Sequence, residues 1–148
     1  MFERISQEEL ERRTRGEAER RKHLAGISSM LALDVVHVDA ARQEMVTAFR
    51  AAPWTENVNG TVHGGIITAA FDSSMGILCH STVSPRRGPT IQLNVSFLRP
   101  VGIGDTMYVR VRILRTGRNL VWLQGVAWTA DEDKPCASAE GTFYIKDV

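Results

Sequence analysis

Residues 57–76 read NVNGTVHGGIITAAFDSSMG and hold two kinds of group that can act together on a carbonyl. Gly64 and Gly65 follow His63 and open an apolar run. Unhindered backbone N–H groups at the positive end of a helix dipole can donate to an oxyanion. Asp72 lies inside the same apolar run. A buried carboxylate costs several kcal/mol unless it is paired or hydrogen-bonded. Either a neighbour such as the Ser73 hydroxyl or a backbone amide satisfies Asp72, or the carboxylate faces a functional cleft, where such groups gather. On a helix, Gly65, Ala69, Asp72, Gly76 and Cys79 fall on one stripe, and every other member is small. The stripe predicts an open channel beside the carboxylate.

The spacing separates the two groups. Seven residues of helix rise about 10 Å, too far for Gly65 and Asp72 of one chain to act on one carbonyl. Two such helices packed antiparallel would bring the start of one to the middle of the other. That geometry predicts a homodimer with two sites at its interface.

The elements around this helix follow from periodicity. SQEELERRTRGEAERRKHL (residues 6–24) reads as a helix, with Ser6 and Glu9 as a capping box. Its alternating Glu and Arg predict a solvated helix on the surface, and its glutamates would repel nucleic-acid phosphate. ISSMLAL adds a short apolar turn, and DVVHVDA and EMVTAFRA read as two strands about ARQ. After the loop PWTENVNG, residues 62–82 form one long helix, apolar on all faces and so expected to be buried on all sides. TIQLNVSFL alternates, with Ile91, Leu93, Val95 and Phe97 on one face. Three further strands follow in DTMYVRVRILRTG, RNLVWLQGVAWTA and CASAEGTFYIK. A long apolar helix with strands before and after it predicts an α+β fold in which one curved antiparallel sheet wraps the helix.

Composition narrows the function classes. The chain has 148 residues, enough for one domain with its own core. A net charge of +1 demands neither nucleic acid nor a membrane surface. Cys79 and Cys136 lie in apolar surroundings and read as reduced, buried thiols, which favours a cytoplasmic protein. No apolar run is long enough for a membrane span, and the charged N-terminus does not read as a secretory signal. His23, His37, His63 and His80 lack ligand spacing, so no metal is expected.

The motif set resembles the hotdog-fold acyl-CoA thioesterases of the phenylacetate-degradation type. It comprises Asn57, Gly60, His63-Gly64-Gly65, Asp72, Thr90 to Pro100 in TIQLNVSFLRP, and Gly117-Arg118. The likeness runs over residues 30–146 and divides the chain into an N-terminal helical extension (1–30) and a hotdog domain (31–148). It implies hydrolysis of an acyl-CoA, aryl or medium-chain aliphatic, without a cofactor, coenzyme A being part of the substrate. Asp72 would be general base or nucleophile, and the amide of Gly64 or Gly65 would polarise the thioester carbonyl. Asn57 would hold the attacking water or the thioester end, and His63 would shape the oxyanion turn. Thr90 would stand near the carboxylate of the partner chain. Arg86, Arg87 and Arg118, with Arg99 and Arg115, are candidates for the coenzyme A phosphates, since guanidinium pairs with phosphate bidentately. Met75 and Phe97, with Trp54 and Phe71, are candidates for the acyl pocket. The resemblance also implies a homotetramer built as a dimer of dimers. Two alternatives share the fold. A non-catalytic acyl-CoA sensor would carry a DNA-binding domain, for which some 30 leading residues are too few. A hydratase or dehydratase wants a histidine poised with the carboxylate, but position 76 is glycine and His80 lies two turns on.

Overall fold

The computed structural model describes residues 4–147. Helices α1 (Gln7–Lys22) and α2 (Ile27–Leu31) precede strands β1 (Asp34–Asp39) and β2 (Glu44–Arg50). A single 3-10 turn at Pro53–Thr55 leads to the long helix α3 (Gly64–Val83). Strands β3 (Thr90–Phe97), β4 (Thr106–Thr116), β5 (Leu120–Trp128) and β6 (Ala137–Tyr144) complete the chain. All six strands join one antiparallel sheet in the order β1-β2-β4-β5-β6-β3, and the sheet curves around α3 as expected. Among the described residues no helix is long and apolar enough to cross a membrane.

Alternation along the strands builds the core. Met107, Val109, Val111 and Ile113 of β4, with Val121, Leu123 and Ala127 of β5, point at α3 and are buried. The helix seats closely because two strand positions facing it have no side chain. A Cβ on Gly125 would stand 2.8 Å from the Phe71 ring, and one on Gly141 would stand 2.6 Å from the Met75 sulfur. Ser74, the polar residue that α3 turns toward the sheet, is satisfied by a 2.8 Å bond between its hydroxyl and that of Thr47.

Helix α1 departs from its expected role. Its cap is as read, with the Ser6 hydroxyl accepting the Glu9 N–H at 3.2 Å, but the Glu9 carboxylate turns to Arg12 and Arg13 instead of closing the capping box. The helix is not simply solvated. Leu10, Thr14 and Ala18 recur every four residues and form a buried stripe. They pack α1 across α3 and β1. The polar side chains beside that stripe close the β1 edge of the sheet. Gln7 donates from Nε2 to Val38 O at 2.7 Å and accepts the Ala40 N–H at 2.8 Å, while Arg15 donates to Val35 O at 2.5 Å.

The central helix is also not buried on all sides along its length. Ser74 to Cys79 are buried all round, because the sheet covers one side and α1 the other. Upstream, Gly65 is exposed, and Ile66, Thr68, Ala69, Asp72 and Ser73 are half-buried. Strand β3 lies at the end of the sheet opposite β1, and among the described residues it pairs only with β6. Its pairing slips between Thr90 and Gln92. Leu93 and Val95 reach the core, whereas Ile91 (56% exposed) and Phe97 (54% exposed) do not.

The seat of α3 on the sheet is testable. Gly125→Ala places a methyl group against a fully buried ring that must shift. The expected cost is about 1–3 kcal/mol of overpacking, a fall of roughly 2–4 °C in Tm per kcal/mol at this chain length. Thermal unfolding at fixed protein concentration checks it; an unchanged or higher Tm would show that Phe71 re-seats freely.

Candidate active site

The approach to α3 is a tight loop held by one side chain. The Asn57 Oδ1 accepts the N–H groups of Asn59 (2.8 Å) and Thr61 (3.1 Å), and its Nδ2 donates to the Thr61 hydroxyl (3.1 Å). The Asn57 N–H donates to Thr61 O at 2.7 Å, and Gly60 turns the loop at φ 77°, a conformation that favours glycine. Asn57 is therefore largely spent on its own loop, which aims the chain into the helix.

His63 then caps α3. Its Nδ1 accepts the Gly65 N–H at 2.9 Å, which requires a ring nitrogen without a proton and leaves the hydrogen on Nε2. Its carbonyl accepts from Ile66 and Ile67. These bonds decide between the two glycine amides. Gly65 is committed to the imidazole, whereas among the described residues none accepts the N–H of Gly64. Gly64 lies against the ring of Phe97, whose Cζ would be 3.1 Å from a Cβ at that position. Asn57, Thr61, Ile67, Phe97 and Pro100 line a cavity of about 390 Å³ beside it.

Asp72 sits two turns farther along. Eight residues of helix put it about 12 Å from Gly64 along the axis, so the two do not converge within one chain. The Thr90 hydroxyl donates to Asp72 Oδ1 at 2.6 Å, a short charge-assisted bond. That corrects the expectation from the resemblance: Thr90 touches the carboxylate of its own chain. The small-residue stripe is also shorter than expected. It lies open from Gly65 to Asp72 and is closed at Gly76, where the Arg21 guanidinium would be 3.3 Å from a Cβ. Cys79, deeper on the stripe, is fully buried, and burial pushes its thiol up to about 12 although Arg86 pulls the other way. Arg21 was invisible as a site neighbour because its helix reads as solvated; glycine at position 76, within a helix, was the available signal.

The other named residues divide. Arg86 and Arg118 meet: an Arg86 guanidinium nitrogen donates to Arg118 O at 2.8 Å. Both line a cavity of about 730 Å³ together with Arg4, Arg115 and Gly117. Arg87 faces a different cleft, 4.0 Å from Glu17, and Arg99 donates to Pro135 O. Met75 and Phe71 are fully buried in the core and so are not reachable from solvent in the single chain. Phe97 remains at the mouth beside Gly64. His80 holds Gly88 O through Nε2, and burial lowers its pKa. Among the described residues no group of three His, Cys, Asp or Glu is placed to hold a metal ion.

The thioesterase superfamily model matches residues 59–136, just over half the chain and the stretch that carries these groups. Acyl-coenzyme A thioesterase 13 of Mus musculus is 27% identical over 90 residues, 60% of this chain and 63% of that protein. A medium/long-chain acyl-CoA thioesterase of Escherichia coli K12 is 31% identical over 106 residues, 62% of this chain and 65% of that protein. The chain thus spans about three-fifths of the length of the curated relatives it matches. Among solved structures, a putative thioesterase related to phenylacetic acid degradation from Ralstonia eutropha JMP134 superposes with a TM-score of 0.74 at 27% identity, covering 92% of this chain and 98% of that one. Zebra fish thioesterase superfamily member 2 gives 0.80 at 16% identity, covering 89% and 95%. That likeness is of fold alone.

The imidazole cap can be tested on its own. His63→Ala should cost about 0.5–2 kcal/mol, the usual value of an N-cap, and should speed hydrogen exchange of the Gly65 amide. His63→Asn, which can accept the same bond, should restore most of both. Equal exchange at Gly65 in all three proteins would show that the cap seen here does not persist.

Proposed function

The chain belongs to the thioesterase superfamily, and on that premise we propose that it hydrolyses an acyl-CoA thioester at two sites shared across a homodimer. One observation carries the reading: the two reacting groups mark opposite ends of the same open edge strand. Gly64 rests on Phe97, the last residue of β3, and Asp72 is bonded to Thr90, the first. Among the described residues β3 pairs with no strand but β6, and Ile91 and Phe97 on it, with Leu98 just after it, are exposed. Two copies joined antiparallel through β3 bring Phe97 of one beside Thr90 of the other. Gly64 of one chain then faces Asp72 of the other, twice. The β1 edge offers no such pairing, since Gln7 and Arg15 occupy it.

The chemistry follows from that pairing. The Gly64 N–H of one protomer takes the thioester oxygen as it becomes an oxyanion, and Asp72 of the other removes a proton from water or attacks the carbonyl itself. Either route adds water across the acyl–sulfur bond and releases acid and coenzyme A. Thr90 holds Asp72 by Oδ1, which leaves the second carboxylate oxygen for the reaction. His63 positions the turn, and Asn57 supplies its rigidity. Arg86 and Arg118, joined by Arg4 and Arg115, hold the phosphates in the larger cavity. The acyl group, aryl or medium-chain, lies beside Phe97 and Ile67. The reading needs no metal or cofactor, and it suits a cytoplasmic dimer or dimer of dimers.

Asp72→Asn is expected to lower kcat by about 10²–10⁴-fold in a free-thiol release assay over a panel of acyl-CoA substrates, with the dimer retained by light scattering. Turnover within a few-fold of the parent protein would remove Asp72 from the mechanism. The shared site has its own signature. Gly64→Val should also be inactive, but mixing the two dead variants through reversible unfolding should restore roughly a quarter of the activity, because half the dimers are mixed and each keeps one intact site. No restoration from mixed dimers would place both groups in one chain.

A further inference from the structure

We infer that Arg21, carried on the N-terminal helix, is a positioning residue for the Asp72–Thr90 pair, acting with Glu17 as a brace that holds both sides of it at once. This rests on the proposed role of Asp72. Gly76 lies four residues beyond Asp72, one turn on and on the same face, where side chains are roughly 5–6 Å apart. The Arg21 guanidinium fills the space left by the missing side chain, with Nη2 3.3 Å and Nη1 3.5 Å from where a Cβ would stand and the Phe143 ring next to it. Its Nη1 donates at 3.2 Å to the carbonyl of Ser73, the residue after Asp72. Arg21 is thus fastened to the helical turn that presents the carboxylate. Its side chain is only 16% exposed.

Glu17 fixes the other end. Its Oε1 accepts from Arg21 Nε at 2.9 Å and from Arg20 at 2.8 Å, and its Oε2 lies 4.0 Å from Arg87. Burial works to raise the Glu17 pKa, but the Arg20 and Arg21 guanidiniums hold it at about 2, so the brace is charged throughout the neutral range. Arg87 belongs to the segment that delivers Thr90. Its N–H and carbonyl pair with Lys146 at 3.1 and 3.0 Å, and Pro89 O accepts the Tyr144 N–H at 3.0 Å. Gly88 lies hard against Tyr144 O, where no Cβ fits. One glutamate–arginine pair on α1 therefore bonds the turn holding the carboxylate at 3.2 Å and lies 4.0 Å, within ion-pair reach, from the segment holding the hydroxyl that orients it. A shift in either would lengthen a 2.6 Å bond, and small displacements of reacting groups cost rate far more than binding.

The test uses the whole chain in its own assembly and two substitutions. Arg21→Ala is expected to lower kcat tenfold or more while KM stays within twofold, with the mass of that assembly unchanged. Millimolar ethylguanidinium should recover part of that kcat in Arg21→Ala and none in Asp72→Asn. Gly76→Ala leaves the arginine in place but crowds the guanidinium. Because alanine is the better helix former, Tm should hold or rise while kcat falls, a split that a purely structural role would not give. Adding Gly76→Ala to Arg21→Ala should then cost nothing further. A kcat within twofold of the parent protein in Gly76→Ala, or in a folded Arg21→Ala, overturns the brace. If Arg21→Ala does not fold, the Gly76→Ala result decides. Asp72→Asn run in parallel separates the failures: an inactive Asp72→Asn beside a normal Gly76→Ala removes only the brace, whereas an active Asp72→Asn removes the reading beneath it as well.

Discussion

A straight helix keeps the groups it carries at fixed separations, and here it carries both a free amide and a carboxylate. Gly64 and Asp72 are held about 12 Å apart, too far to serve one carbonyl, and no rotamer change closes that gap. Much of the architecture makes sense as an answer to it. The two ends of β3 each touch one of the groups, through Phe97 and Thr90. An antiparallel pairing about the middle of that strand exchanges its ends and so exchanges the groups.

Holding such a helix still is a packing matter. Gly125 and Gly141 let Phe71 and Met75 sink onto the sheet, so dispersion contacts accumulate along α3. The outer side of the helix would be open without α1, whose Leu10, Thr14 and Ala18 cover it. The same helix occupies the β1 edge, which would otherwise offer unpaired backbone to any passing strand. With the β1 edge occupied, β3 is the sheet edge on which the proposed dimer is built.

Three polar side chains around the start and middle of α3 are each committed to a neighbour. His63 takes the Gly65 amide, and Asn57 takes the amides of its own loop. Thr90 takes one carboxylate oxygen. Among the described residues, the Gly64 N–H and the second oxygen of Asp72 are left uncommitted, and these are the two groups on which the proposed hydrolysis draws.

The amino-acid sequence by itself determined the helix, the strands and their order, because apolar periodicity is a local property. It also determined which residue types could do chemistry, since two glycines after a histidine and an aspartate in an apolar run are legible without coordinates. It also raised the expectation of a second chain, because helical rise is known in advance. Only the tertiary structure decided which glycine amide is free, because that depends on where the His63 ring points. Only packing against the sheet separated Met75, sealed in the core, from Phe97 at the mouth. The place of Arg21 was likewise decided by tertiary contact. A helix rich in Glu and Arg reads as solvated from its own residues, and nothing local reports that position 76, more than fifty residues away, leaves a space the size of a guanidinium.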